Sequence, residues 1–91
     1  MLKVEFLGPL RAIVGKKFVE IPVEGKMKLS DLLTGLDKDI RKYVVDDLGK
    51  PVAGVLVLVN GVDVRYLSWL DTEISETDTV TLIPSIHGGR V

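Results

Sequence analysis

The sequence contains no cysteine, and a single histidine, His87, among its 91 residues. The first absence excludes disulfides, thiolate nucleophiles and thiolate metal sites together, and one imidazole is too few for a histidine-based zinc site. An excess of positive charge is missing as well. Twelve Lys and Arg against thirteen Asp and Glu leave a formal net charge of −1, and the basic residues are scattered, whereas a phosphate-tracking surface needs a basic stripe. Direct binding of RNA or DNA is therefore not expected. No apolar run is long: the longest, Val55 to Val59, is five residues, against the roughly 20 that cross a bilayer. The first residues, Met1-Leu2-Lys3-Val4-Glu5-Phe6-Leu7, alternate apolar and charged, unlike the unbroken apolar stretch of a signal peptide. The expectation is a soluble cytoplasmic protein with no membrane contact.

What is present is the composition of an ordinary globular domain, 46% hydrophobic and 27% charged, which sets disordered and fibrous classes aside. A chain this short buries only about 60% of its unfolded surface, so it supports one core. We expect a single domain over 1–84 and a flexible C-terminal tail over 85–91.

Leu2, Val4 and Phe6 facing one way and Lys3 and Glu5 the other give the period of two of a half-buried strand. Gly8-Pro9 ends it, and Leu10 to Val14 reads either as a helical turn or as a packed loop. Lys17 to Val23 alternates again and predicts a second strand hairpinned on the first, with Pro22 suited to a strand end because it lacks an amide donor. Gly25 to Lys28 reads as a polar connection. Ser30 is then positioned to cap a helix with Asp31 in its first turn, and Leu29, Leu32, Leu33, Leu36 and Ile40 form its buried stripe. Gly35 costs that helix about 1 kcal/mol relative to Ala, which predicts a break there and a restart over Lys38 to Val45. In Val55 to Val64 two apolar runs flank Asn60-Gly61, the pair that supplies both positive-φ positions of a type I′ hairpin turn. A loop holding Trp69 leads to a last strand, Thr79 to Ile83. The expected class is α+β, a mixed sheet of four to five strands packed on one main helix.

Val55 to Val59 is apolar on both faces, although a sheet with one helix layer has only one face covered. Either Leu56 and Leu58 belong to a patch where a partner docks, or the loop around Trp69 or the segment after Leu36 covers them. After Ile83, Pro84 cannot donate into a ladder, and Ser85-Ile86-His87-Gly88-Gly89-Arg90-Val91 leaves the body. Five residue steps from Pro84 to Gly89 reach at most roughly 17 to 18 Å, enough to enter another protein's active site. Two glycines present backbone without Cβ, which lets a terminal carboxyl thread a narrow channel. At average usage of about 7% Gly, a given dipeptide is Gly-Gly about 0.5% of the time, so chance is an awkward explanation at this location.

These segments, in this order, resemble the ubiquitin-like β-grasp sulfur carriers, a family that includes the small subunit of molybdopterin synthase (MoaD), the thiamine carrier ThiS and the ubiquitin-related modifiers. Phe6 to Gly15 is similar to the family's first strand with its Leu-Arg and Gly loop, and Leu29-Ser30-Asp31-Leu32-Leu33 to the start of its helix. Val59 to Val64 is similar to its hairpin, and Leu70 to Ile74 followed by Asp78 to Pro84 to its closing segment. The resemblance implies a carrier that catalyses nothing itself. An E1-like enzyme adenylates the C-terminal glycine, Gly89, with ATP, and a sulfur donor converts the adenylate to a thiocarboxylate. The sulfur then passes to a molybdopterin precursor, which is the pathway expected first. The alternatives are thiamine or tRNA thiolation, joining of the glycine to a lysine of another protein, or a non-covalent β-grasp adaptor with an inert tail. The implied partners are the E1-like enzyme and a molybdopterin synthase large subunit; the carrier binds no cofactor, and ATP is used by the activating enzyme.

One feature departs from the family pattern: Arg90-Val91 follows the second glycine, so the encoded carboxylate belongs to Val91. A protease, in some ubiquitin-like precursors a zinc metalloprotease, has to remove two residues first. His87 and Gly88 are expected to thread the tail into the activating enzyme, with the bland reading of a solvent-exposed bystander set against it for His87. Arg11 and the only tryptophan, Trp69, join Leu56 and Leu58 as candidates for the partner patch, with the bland readings of a lone surface Arg and a ring packed under a loop set against them. Asp71, Glu73, Glu76 and Asp78 read either as a face for the activating enzyme or as a solvated acidic loop. No Ser/His/Asp arrangement is positioned for nucleophilic catalysis.

Overall fold

A computed structural model gives the structure of the chain and describes residues 1–84. The tail over 85–91, including His87, Gly88 and Gly89, lies outside the described residues. The elements in chain order are β1 (Leu2–Phe6), α1 (Pro9–Val14), β2 (Phe18–Ile21), β3 (Lys26–Lys28), α2 (Leu29–Thr34), α3 (Lys38–Val44), β4 (Val55–Val59), β5 (Val62–Asp63), two 3-10 turns at Val64–Tyr66 and Trp69–Asp71, β6 (Glu73–Ser75) and β7 (Thr79–Pro84). Among the described residues no helix is long and apolar enough to cross a membrane.

Five strands make one mixed sheet in the order β2-β1-β7-β4-β5. The outer pairs are antiparallel, and β7 lies between β1, to which it is parallel, and β4, to which it is antiparallel. Placing the last strand at the centre joins both halves of the chain in one hydrogen-bonded layer. Leu2, Val4 and Phe6 on β1, Val80 and Leu82 on β7, and Val57 and Val59 on β4 all turn to the same face and are buried. Leu29, Leu32, Leu33, Leu36 and Ile40 cover that face from the helical side, as their spacing predicts. This is the ubiquitin-like β-grasp arrangement.

The helical stretch is in two pieces. At Gly35 the amide still closes on Asp31 and Leu32 carbonyls at 3.0 and 3.2 Å, but a Cβ there would sit 3.1 Å from the Asp31 carbonyl oxygen. The chain leaves α2 at this point and restarts as α3. Ser30 does not cap α2; the helix begins at Leu29 with Lys28 as its cap residue. The Leu29 amide donates to the Thr72 carbonyl at 2.9 Å, so a backbone oxygen from a distant loop does what the serine hydroxyl was expected to do. The expected polar connection contains β3, which pairs with β6 in a separate two-stranded sheet through Met27 opposite Ile74. The second strand is shorter than Lys17 to Val23, because it ends before Pro22. Leu10 to Val14 lies in a helix, α1.

The Asn60-Gly61 turn adopts the expected geometry, with φ of 50° and 85°. Its asparagine also ties the turn to β7. Asn60 Oδ1 accepts from the Thr79 amide at 2.9 Å, and Asn60 Nδ2 donates to Asp78 Oδ1 at 2.8 Å. Asp78 Oδ2 in turn accepts from the Ser75 amide at 2.8 Å. The Asn60 donor, followed by the Ser75 amide, holds the Asp78 carboxyl below the usual carboxylate range, against a smaller opposing effect of burial. A carboxyl whose pKa is lowered by folding stabilises the fold above its unfolded value of about 3.9, and loses that contribution as pH falls through the lowered value. Asp78→Ala is therefore expected to cost about 1 kcal/mol at pH 7, after allowance for solvent exposure. In urea titrations the gap between the two proteins should close below pH about 4; a gap unchanged at pH 3 would show that the carboxylate charge is not what matters.

Candidate functional site

The residues that point away from the helices follow from the same register. Lys3 and Glu5 on β1 share the outer face with Phe18 and Glu20 on β2, with Thr79, Thr81 and Ile83 on β7, with Leu56 and Leu58 on β4, and with Asp63 on β5. The face is divided. Toward β2 it is polar and charged: Lys3 Nζ sits 4.5 Å from the centroid of the Phe18 ring, and Thr81 Oγ1 donates to Glu5 Oε1 at 3.2 Å. Toward β4 it is apolar, with Leu56 directly opposite Ile83, and Leu58 opposite Thr81. Leu56 is 37% exposed and Leu58 is half-buried. Trp69 lines a groove together with Leu56, yet Leu56 keeps its 37% exposure.

The apolar half adjoins Pro84, the last described residue. β7 ends at Pro84, opposite Val55, one position beyond the Ile83–Leu56 pair. Because β7 is parallel to β1, its last residues lie beside the corner that follows β1, where the Leu7 amide donates to the Leu82 carbonyl at 3.1 Å. At Gly8, with φ of 61°, an added Cβ would come 4.0 Å from Pro84 Cδ. Arg11 stands at this corner and not on the sheet face. Its Nε donates to the Phe6 carbonyl at 3.0 Å, which anchors the side chain along the β1–α1 junction. Pro84 is thus bounded by the Leu56–Ile83 pair on one side and by the Arg11 corner on the other.

Of the sequence candidates, Leu56 and Leu58 lie together, Trp69 borders a groove that also contains Leu56, and Arg11 is apart from them. Trp69 is 42% exposed, so its ring is not packed under a loop. Ile83 and Phe18 escaped the sequence reading, although the inward turn of Val80 and Leu82 already implies that Ile83 faces out. Asp71, Glu73 and Glu76 are exposed, as the reading of a solvated acidic loop has it, and Asp78 alone departs from it. Glu73 pairs with Lys26 at 3.8 Å, Asp71 with Lys28 at 3.5 Å, and Asp78 is the internal clamp already described. Among the described residues no group of three or more His, Asp or Glu side chains is placed to hold a metal ion. His87, Gly88 and Gly89 lie outside the described residues.

Comparison with known proteins adds what the domain alone does not carry. The sequence model of the ThiS family matches residues 4–89, a span that reaches through the tail and stops at the second glycine. The chain is similar to the ubiquitin-related modifier 1 homolog of Dictyostelium discoideum, at 30% identity over 96 residues, covering 97% of this chain and 98% of the relative. It is also similar to a putative sulfur carrier protein of Archaeoglobus fulgidus, at 32% identity over 84 residues, covering 88% and 93%. Among solved structures, a chain of the Amycolatopsis orientalis BexX/CysO complex superposes with a TM-score of 0.75 at 27% identity, covering 98% of this chain and all of that one.

Proposed function

The chain belongs to the ThiS family of ubiquitin-like sulfur carriers and modifiers, and on that premise we propose that it carries sulfur as a thiocarboxylate on Gly89 after removal of Arg90-Val91. The observation that carries this reading is where the family match stops, at Gly89, with Arg90-Val91 following it. The chemistry needs a free carboxylate on a residue with no Cβ. One carboxylate oxygen attacks the α-phosphorus of ATP and pyrophosphate leaves, giving an acyl-adenylate. Sulfide then displaces AMP to give the thiocarboxylate; where a persulfide supplies the sulfur, a second thiol cleaves the acyl disulfide first formed. The carrier provides no catalytic group for either step. The E1-like partner supplies the nucleotide site and uses the ATP, and the processing enzyme is a protease of the metalloprotease kind.

The domain's part is to hold Pro84 at a fixed place relative to the partner, through the apolar half of the outer face. Leu56→Glu and Leu58→Glu are each expected to lower kcat/KM for adenylation at least 10-fold. The first should leave the melting midpoint nearly unchanged, because Leu56 is exposed. The second should lower it, because a new carboxylate would stand directly opposite Asp63. Unaltered adenylation in both variants would remove the face from the reading.

The sulfur has two candidate destinations: a molybdopterin precursor, through a molybdopterin synthase large subunit, or a tRNA uridine, with lysine conjugation as the related fate of the same activated glycine. The relatives named as ubiquitin-related modifiers favour the second. Intact mass of the protein from its native host, taken without reducing or alkaline treatment, tests the reading. The expected species ends at Gly89, with or without the increment for replacing oxygen by sulfur. A mass ending at Val91 throughout would overturn it in favour of a non-covalent adaptor.

A further inference from the structure

Next to the outer face, and sharing Leu56 with it, is a groove. It is lined by Val52, Val55, Leu56 and Trp69, and its only charged residues are Asp63 and Arg65. Three independent features meet there. The first is backbone. β5 stops at Asp63, opposite Leu58, so Val55 to Val57 of β4 have a strand neighbour on the β7 side alone among the described residues, and there the Val55 amide donates to the Val52 carbonyl at 3.1 Å, which leaves Val57 as the open position. An open strand edge is a template for another strand.

The second is Trp69. Its φ is 52°, a left-handed backbone that a bulky side chain adopts at a cost of about 1–3 kcal/mol. The loop enforces it: the Ser68 amide donates to Thr72 Oγ1 at 3.0 Å, the Thr72 amide to the Trp69 carbonyl at 3.2 Å, and the Leu29 amide to the Thr72 carbonyl at 2.9 Å. The strain fixes an indole ring at the wall of the groove while leaving it 42% exposed.

The third is Arg65. Asp63 accepts from the Arg65 amide at 2.9 Å, from Nε at 3.1 Å and from Nη2 at 2.7 Å. This fork fixes the guanidinium plane, and the donors on its far side have no partner among the described residues. Those donors fit an acceptor such as a carboxylate on the side of the guanidinium away from Asp63, and a guanidinium offers nothing to another donor.

We propose that this groove takes an extended segment of a partner protein that adds to β4 as a strand, placing an apolar side chain against Trp69 and an acidic one on Arg65. Main-chain pairing at Val57 supplies affinity, and the two side-chain contacts supply selectivity. The site adjoins Pro84 through Val55 and shares Leu56 with the outer face, so the segment and an activating enzyme docked on that face compete for Leu56.

The probe is a displayed library of random heptapeptides selected on the full-length protein. The expected result is enrichment of sequences that combine an acidic with an apolar residue. Because Trp69 is the only tryptophan, its emission should shift on titration with an enriched peptide. Amide resonances of Val55, Val57 and Arg65 should move, while those of Thr79 and Thr81 stay in place. Arg65→Gln and Trp69→Ala, each checked for a native amide spectrum, should weaken the peptide at least 10-fold, as should exchanging the peptide's acidic residue for Lys. The proposal is overturned if no such sequences are enriched, if the variants bind equally well, or if the shifts fall on the outer face.

Discussion

A chain shortened to end at Gly89 is expected to be adenylated by its activating enzyme with a kcat/KM about 100-fold above that of the 91-residue chain, the penalty that a misplaced reacting atom brings. The argument is one of register. If the outer face fixes Pro84 against the partner, the distance from Pro84 to the nucleotide is set by the partner, and five residue steps give the carboxylate a reach of roughly 17 to 18 Å. Two further residues move the encoded carboxylate about 7 Å along an extended chain. They also place the Arg90 side chain where the channel is shaped for backbone, and a β-branched Val91 at the reacting end. Within the shortened chain, Gly89→Ala should lose most of the gain, since it adds one Cβ beside the α-phosphorus and changes nothing in the domain. ATP–pyrophosphate exchange measures both. Equal exchange by the two chain lengths would mean that the terminus is not in register with the nucleotide, and the precursor reading would fail.

How far the chain could be read in advance depended on whether each element is specified locally. Asn60-Gly61 fixes its own turn through two backbone angles, and the Leu29 to Ile40 stripe fixes the buried side of two helices through spacing alone, so both were legible. The place of β7 was not. Its parallel pairing sets Lys3 opposite Thr79, and no local signal carries a register across that separation. The same gap explains β3: Lys26-Met27-Lys28 is too short to show a period, and it is a strand only because Ile74 comes to face Met27. Ser30 failed as a cap for a related reason, since the Thr72 carbonyl that satisfies the start of α2 is 43 residues away from Leu29, as the difference of the two numbers gives.

The candidate site divides along the same line. In Val55-Leu56-Val57-Leu58-Val59 either alternate set can face inward, and only the pairing with Val80 and Leu82 on β7 selects the valines for the core and the leucines for the outer face. Asp63 and Arg65 are two positions apart in sequence and their fork is local, but its value as part of a groove appears only once β5 is seen to stop short and expose the edge of β4. The glycines are a reading of the sequence alone, since Gly88 and Gly89 lie outside the described residues.

Phe6→Ala is expected to cost about 3–5 kcal/mol of unfolding free energy, the range for removing a buried phenyl ring. Phe6 is fully buried and pairs with Leu82 on β7. Its amide donates to the Lys17 carbonyl at 2.9 Å, and its carbonyl accepts from Arg11 Nε at 3.0 Å. The ring therefore stands where β1, β2, α1 and the end of β7 meet, and the domain has no second core to absorb the loss. A chain of this size has about 5–14 kcal/mol in total, so the variant would be marginal at ambient temperature. Urea titration at pH 7 should show a lower midpoint with an unchanged slope. A loss below about 1 kcal/mol would mean that α1 collapses into the space and that the corner is softer than its hydrogen bonds imply. Adenylation separates the two roles of this residue. If Phe6 only maintains the fold, activity at low temperature should follow the folded fraction. If the corner also aims the tail, activity should fall further than the folded fraction does, and Arg11→Ala should reproduce that excess with a smaller loss of stability.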